Sequence, residues 1–239
     1  MNRFQDLYNR SMNRGIYTYT GFMYETDAAP AYSGTEKGSI TAFGGYPDAE
    51  RVVVRFGNEE AISYKEPFPI AVLEVKPVNK RFTDELTHRD YLGALMNLGI
   101  EREVIGDILI GENRAWIMVL EKMAEHICRE LTQIKHTTVY VEQISALPEN
   151  VLPKKETVLL NVASPRIDSV AARFCNISRG KISELFAAGK ILINGTECHS
   201  PDRLLKENDR ITVRGFGRFR YKGIHKETKK KRDVVMIEK

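Results

Sequence analysis

Continuous and alternating apolar runs in the middle of the chain predict strands, and apolar residues three and four apart predict helices. Ile70–Val78 (IAVLEVKPV) reads as a strand, and Thr83 then precedes a helix expected from Asp84 to about Leu98, stopping at Gly99. Asp107–Ile110 and Arg114–Val119, separated by Gly111-Glu112-Asn113, read as a β-hairpin. A second helix is expected over Leu120–Ile134, with Met123, Ile127 and Leu131 near one face, and the alternating Thr137–Ile144 (TTVYVEQI) closes the unit as a strand.

That order, β-α-β-β-α-β, is the order of a ferredoxin-like domain, whose four-stranded sheet also underlies a common RNA-binding module. In the RNA-recognition version aromatic residues on the two central strands stack bases. Here the first strand has none and the third has only Trp116, which reads as core, so the RNA role of the middle domain stays open. Upstream, a helix is expected over Asp6–Arg14 and strands over Ile40–Phe43 and Val52–Phe56, joined by the turn Phe43-Gly44-Gly45-Tyr46-Pro47. Tyr17, Tyr19, Phe22 and Tyr24 read as the core of this small region.

The C-terminal pattern is denser. Ser164 is expected to cap a helix with Pro165 at its first position, and Ile167, Val170, Ala171 and Phe174 form its apolar stripe. Ser178 caps a second helix with Ile182, Leu185 and Phe186 inside, ending at Gly189. Ile191–Ile193 runs into the hairpin dipeptide Asn194-Gly195, and Arg210–Arg214 alternates as a strand. Arg166 opens the first helix, and Arg179 and Lys181 lie in the first turn of the second, where free N–H groups and the helix dipole favour an anion.

Charge changes the picture once the chain is divided at the Pro-containing stretch Leu152–Pro165. Residues 1–163 hold 18 Lys and Arg against 23 Asp and Glu, net −5, whereas residues 164–239 hold 18 against 9, net +9. A basic module of this kind commonly serves polyanions, since neutralised phosphates release counterions. Charge alone leaves a solvated basic face as an equal reading.

Several motifs in order over this module are recognisable: Arg166-Ile167-Asp168, Ser178-Arg179, Gly189-Lys190-Ile191-Leu192-Ile193-Asn194-Gly195 and Asn208-Asp209-Arg210-Ile211-Thr212-Val213. They resemble the S4 RNA-binding domain, with Gly180-Lys181 and Asn208 as departures from its usual pattern. FGGYPDAERVVVRF (Phe43–Phe56), HRDYLGALMNLGIEREVIGDIL (His88–Leu109), VRGFGRFRY (Val213–Tyr221) and the tail around Thr228–Lys231 extend the likeness, and the chain resembles the YlmH family of bacterial S4-domain proteins. The resemblance implies a role in ribosome quality control, on large subunits obstructed by peptidyl-tRNA, and a link to the cell-division gene neighbourhood. It implies RNA contacts by Arg166, Ser178, Arg179, Lys181, Lys190, Asn194, Arg214 and Arg218.

Composition bounds the rest. At 239 residues and 42% hydrophobic the chain exceeds one ordinary domain. The expected architecture is multi-domain α+β: an N-terminal α/β subdomain over residues 1–66, a ferredoxin-like domain over 67–148, a linker over 149–163 and an S4-type (αL) domain with a basic tail over 164–239. The longest apolar run, Ala115–Leu120, is far short of the ~20 residues of a membrane helix, and Cys128, Cys175 and Cys198 show no CxxC spacing. Reduced thiols in a cytoplasmic monomer are the expectation, with no membrane partner, cofactor, metal or catalytic residue; the resemblance implies structured RNA (rRNA and tRNA) and the large ribosomal subunit as partners. The competing class is an RNA-modifying enzyme, a pseudouridine synthase or methyltransferase, or the targeting subunit of one. His88-Arg89-Asp90-Tyr91-Leu92-Gly93 superficially resembles the synthase motif but lacks its leucine and threonine, so Asp90 reads as an exposed helix carboxylate. No glycine-rich βα turn or paired histidine spacing supports another chemistry.

Overall fold

The computed structural model describes residues 3–32, 39–79, 84–152, 155–228 and 232–239. Thr83, Pro153 and Lys154 of the expected linker, and Lys229–Lys231 of the expected tail lie outside the described residues. The chain forms two compact units, residues 1–152 and 153–239.

The first unit opens with α1 (Arg3–Arg14), then β1 (Thr18–Tyr19), β2 (Met23–Tyr24), β3 (Ile40–Phe43), β4 (Arg51–Phe56) and the short α2 (Glu59–Ile62). The apolar, β-branched β4 is the centre of a small antiparallel sheet and pairs with β1, β2 and β3. α1 lays Phe4, Leu7 and Tyr8 on Phe56, Val54 and their neighbours, and its buried Ser11 hydroxyl donates to the Phe56 carbonyl at 3.0 Å.

There follow β5 (Ile70–Pro77), α3 (His88–Asn97), β6 (Ile105–Gly111), β7 (Arg114–Leu120), α4 (Glu121–Glu130), β8 (Gln133–Ile134) and β9 (Thr137–Ile144). The sheet order is β6-β7-β5-β9-β8, every pair antiparallel. α3 begins four residues later than expected and α4 ends at Glu130, where the chain turns into β8. Leu73, Val75, Ala115, Ile117 and Val119 pack with Tyr91 and Leu95 of α3 and Ala124 and Ile127 of α4. Val72, Trp116 and Met118 point the other way and pack with Phe22, Tyr46, Ala49 and Val53 from the N-terminal region. Both faces of β7 are therefore covered, which is why Ala115–Leu120 is uninterrupted apolar sequence rather than an alternation. The Gly44-Gly45 turn serves that packing: Gly45 has φ of +99°, and a Cβ there would lie 2.6 Å from Met118.

The two sheets of this unit are tied by a buried polar junction. The Asp107 carboxylate accepts from the Tyr46 hydroxyl (2.8 Å) and from the N–H groups of Glu50 (2.6 Å) and Arg51 (3.0 Å). The buried Arg51 guanidinium donates to the carbonyls of Ile105 (2.9 Å), Phe22 (2.8 Å) and Arg102 (3.0 Å) and lies over the Tyr24 ring.

The second unit contains β10 (Thr157–Val162), α5 (Ile167–Cys175), α6 (Arg179–Ala187), β11 (Ile191–Ile193), β12 (Thr196–Glu197), β13 (Arg210–Val213), β14 (Gly217–Glu227) and β15 (Asp233–Glu238). They build an antiparallel sheet in the order β10-β15-β14-β13-β11-β12, with Val170, Ala171, Ile182 and Phe186 of the helices packed on Ile211, Val213, Phe219, Val235 and Ile237. Two differences from the sequence reading have physical causes. Residues 157–162 of the expected linker are a strand, paired along its length with β15 and closed by reciprocal Glu156 and Lys239 backbone bonds at 2.9 and 3.0 Å. α5 starts at Ile167 with Arg166 as its cap, not at Pro165. The N–H groups of Ile167 and Asp168 donate to the Arg203 and Pro201 carbonyls, and Pro165 accepts from Leu205, which holds residues 165–166 extended against that loop.

Asp107→Ala strands a buried hydroxyl, two backbone N–H groups and the charge beside Arg51, and each such group costs about 1–3 kcal/mol when unpaired. The expected result is destabilisation of the first unit by about 3 kcal/mol or more. Urea unfolding followed by the fluorescence of Trp116, the single tryptophan, measures it; an unchanged midpoint contradicts it.

Candidate nucleic-acid interface

The corner between α5 and α6 gathers three arginines around a concavity. α5 ends at Asn176, whose φ of +53° is left-handed, and the Ile177 N–H closes back on the Ala172 carbonyl at 3.0 Å. The chain then enters α6 through Ser178, whose hydroxyl accepts from the Lys181 N–H at 3.3 Å. A cleft of about 300 Å³ lies beside this corner, lined by Asn161, Ser169, Arg173, Asn176, Arg179 and Arg232 among others. The Arg173, Arg179 and Arg232 guanidinium groups have no ion-pair partner among the described residues. Arg232 is set by its backbone, since the Thr228 N–H and hydroxyl donate to its carbonyl at 2.7 and 3.0 Å.

Of the residues expected at the RNA surface, only Arg179 lines this cleft. Arg166 caps the opposite end of the nine-residue α5, about 13 Å away along the axis, and its guanidinium grips Asp168 at 2.8 and 3.1 Å. Lys181 is exposed and paired with Glu184 at 2.7 Å. Lys190, after the left-handed Gly189, accepts at its carbonyl from the Arg214 N–H at 2.9 Å, which brings those two basic residues side by side. Asn194 has both ends of its amide occupied: it donates to Asp209 and accepts from the Arg210 N–H, each at 2.9 Å, at the head of a turn with φ of +51° and +83°. It fixes the hairpin to the 206–210 turn, where Asn208 tolerates φ of +68° in place of a glycine. Arg218 sits on β14 opposite Thr212, on the outer face of the sheet with Arg210 and Arg220. Arg173 was not singled out in the sequence, where i, i+4 spacing of Ser169 and Arg173 on the polar face of α5 is the one signal; Arg232 belongs to the basic tail expected there and reaches the cleft only through the pairing of β10 with β15.

In the first unit, the sheet face that an RNA-recognition module leaves open is partly covered. Trp116 is 5% exposed and packs in the second core, where it also abuts Gly111. What remains of that face is an ion-paired strip in which Glu74 takes Lys76 at 3.0 Å and Arg114 at 2.9 Å, and Lys76 also pairs with Glu142. Burial of Glu74 favours its neutral form, but the two cations outweigh this and hold its carboxyl below the usual range. On the helix side a cleft of about 600 Å³ is lined by Arg89, Asp90, Gly93, Asn97, Glu130 and Lys135 among others, a mixed rather than basic set. Asp90, expected as an exposed helix carboxylate, is the third residue of α3 and closes the capping box with Thr87: it accepts from the Thr87 N–H (2.8 Å), the Thr87 hydroxyl (2.7 Å) and Lys135 (2.8 Å). Lys135, then the two Thr87 donors, bring its carboxyl down to about 2.

The Cys175 thiol is packed beneath α5, and burial pushes it up to about 11, which keeps it a neutral thiol. Among the described residues no group of three or more His, Cys, Asp or Glu is placed to hold a metal, and no helix is long and apolar enough to cross a membrane.

Residues 64–147 match the family model described as the putative RNA-binding domain in YlmH. The chain is 29% identical over 214 residues, covering 87% of its length and 81% of the relative, to the ribosome-associated protein quality control protein P2 of Bacillus subtilis (strain 168). Among solved structures, the cell division protein ylmH from Streptococcus pneumoniae aligns with a TM-score of 0.45 at 24% identity, over 59% of this chain and 87% of that one. The family-model match and the Bacillus subtilis relative bear out the resemblance to the YlmH family.

The Asp90 cap makes a pH prediction. A carboxyl at about 2 in the folded chain and 3.8 when free contributes stability that is complete above 3.8 and is lost as pH falls toward 2. The stability gap between the parent and Asp90→Asn is expected to hold constant from neutral pH to about pH 5 and to narrow below that. Urea midpoints read from Trp116 fluorescence across this range test it, and a gap independent of pH contradicts the cap.

Proposed function

We propose, from the resemblance to the YlmH family and the arginine-lined cleft, that the protein binds structured RNA without chemistry of its own and acts on the ribosome in quality control. The carrying observation is the convergence of Arg173, Arg179 and Arg232 on one cleft at the N-terminal end of α6, within the residues that hold a net +9. Cations in the first turn of a helix oppose its dipole, and a phosphate seated between them and the free N–H groups removes that conflict. The relative in Bacillus subtilis is named for ribosome-associated quality control, and residues 64–147 match an RNA-binding domain model, which supports the same direction.

The finer reading follows the same line. Residues 70–144, with the order β6-β7-β5-β9, are taken as a ferredoxin-like domain, residues 1–66 as the lobe that covers its sheet, and residues 164–239 as an S4-type domain. Arg166, Arg179, Lys181, Lys190, Arg214 and Arg218, joined by Arg173 and Arg232, form the RNA-contacting set; Ser178 and Asn194 position it. The partners are rRNA and tRNA on large ribosomal subunits stalled with peptidyl-tRNA, and the protein is a cytoplasmic monomer with no cofactor.

Phosphate contacts position without reading sequence. Arg179→Ala and Arg173→Ala are each expected to lower affinity for structured RNAs of different sequence and to reduce the slope of log K against log salt by about 0.7–0.9. Both side chains are exposed, so stability should change by less than about 0.5 kcal/mol. Ile182→Ala, at a core position, should destabilise by about 2–5 kcal/mol and leave the salt slope of the folded fraction unchanged. RNA titration at several salt concentrations with thermal melts separates the cases, and co-sedimentation with large subunits in lysate gradients tests the ribosomal part. Undiminished RNA affinity in folded Arg173→Ala and Arg179→Ala overturns the cleft as the phosphate site.

A further inference from the structure

Most aromatic side chains of the second unit are inside it. Phe219 and Tyr221 are buried in the core, and Phe174 packs on Phe219 in a tilted contact with ring centroids 4.5 Å apart. Phe216 is the exception. It stands at the tip of the β13–β14 turn, in Arg214-Gly215-Phe216-Gly217-Arg218, and 43% of it is exposed.

The turn is built to hold the ring outside. Gly215 and Gly217 have φ of +88° and +118°, values that side-chain-bearing residues rarely adopt, so a glycine is needed on each side of Phe216. The Phe216 N–H is fixed on the Val213 carbonyl at 2.9 Å, and a Cβ at Gly217 would lie 3.8 Å from the Phe174 ring, in the last turn of α5. Arg173, the neighbour of Phe174, lines the arginine cleft, and the Lys190 carbonyl takes the Arg214 N–H at 2.9 Å. The turn that carries Phe216 thus lies near the C-terminal end of α5, the end whose Arg173 lines the cleft, with Lys190 and Arg214 at its base.

A single exposed apolar residue is ordinary on a surface. An aromatic ring set between two glycines and two arginines, on a module of net +9, has the composition of a base-stacking platform: the ring offers a flat apolar face, the cations hold the backbone. In continuous A-form duplex the bases are paired and stacked on their neighbours, and only single-stranded loops, bulges and overhanging ends offer an unpaired base. We propose that Phe216 stacks on an unpaired nucleobase, so that the C-terminal unit prefers RNA with a loop or bulge over uninterrupted duplex. This rests on the RNA-binding reading above and adds to it a ligand, the unpaired base, and a residue that selects it.

The test uses the full chain and two labelled RNA probes of equal length, a hairpin with an unpaired loop and a blunt duplex. Phe216→Ala is expected to weaken hairpin binding about 5- to 100-fold, with duplex affinity and the salt slope unchanged. Phe216→Tyr keeps the flat ring and should bind the hairpin like the parent. Phe216→Trp should show fluorescence quenching on addition of hairpin but not duplex, against the constant signal of the buried Trp116. Parent-like hairpin affinity in Phe216→Ala, or equal losses on both probes, overturns the platform alone. A parent that binds neither probe overturns the RNA-binding reading and the platform with it.

Discussion

The architecture of the first unit depends on one buried junction, the meeting of Arg51 and Asp107. Neither side chain can be left unpaired away from water, and between them they take three donors and supply bonds to three carbonyls. Burial works against the charge on Arg51, and its guanidinium is drawn below its usual range mainly for that reason. The arrangement persists because each polar group finds a partner: Asp107 of β6 takes the Tyr46 hydroxyl and the N–H groups of Glu50 and Arg51 at the start of β4, and Arg51 reaches the carbonyls of Ile105 on β6, Phe22 and Arg102. The junction thus fixes where β4 and its neighbours lie on the larger sheet, and that placement puts Phe22, Tyr46 and Val53 against Trp116 and Met118. A sheet covered in this way cannot offer its central strands as a broad stacking surface, so for residues 64–147, which match an RNA-binding domain model, the accessible surface is the ion-paired strip, the sheet edge and the helix side.

How far the sequence was legible follows from the range of the interactions involved. Thr137–Ile144 emerges as a strand with the bounds its alternation predicts, Ser178 caps α6, and Asn194-Gly195 makes the tight turn, because each depends on residues within a few positions. The start of α5 was misread since Ser164-Pro165 is a good local helix start, and the loop at 201–205 competes successfully for the same backbone. β10 lies within the expected linker because its partner is more than 70 residues later in the chain, and the exposed Leu159 spoils the apolar alternation that would mark it as an amphipathic strand. The same non-local pairing hid half of the candidate site: Asn161 and Arg232 reach the cleft only because β10 lies beside β15.

The two units also show how the pattern of a strand governs what its sheet can present. In β7 every residue from Ala115 to Val119 is buried, and the sheet serves as the middle layer between helices and the N-terminal lobe. In β13 and β14 the alternation is kept: Ile211, Val213, Phe219 and Tyr221 face the helices, while Arg210, Thr212, Arg218 and Arg220 stand together on the other side. An alternating strand keeps one face polar, and here that face is rich in arginine, with Glu238 of β15 opposite Arg220. The basic residues of the second unit are therefore distributed over both the helix corner and the outer sheet, with the Lys190–Arg214 contact and the Phe216 turn among the elements of the module. A charge count of +9 does not distinguish such a layout from a uniformly solvated surface. What distinguishes it is the placement of unpaired guanidinium groups around a cleft at a helix start, where the dipole already favours an anion, because that geometry leaves an electrostatic conflict among the arginines that a bound phosphate relieves.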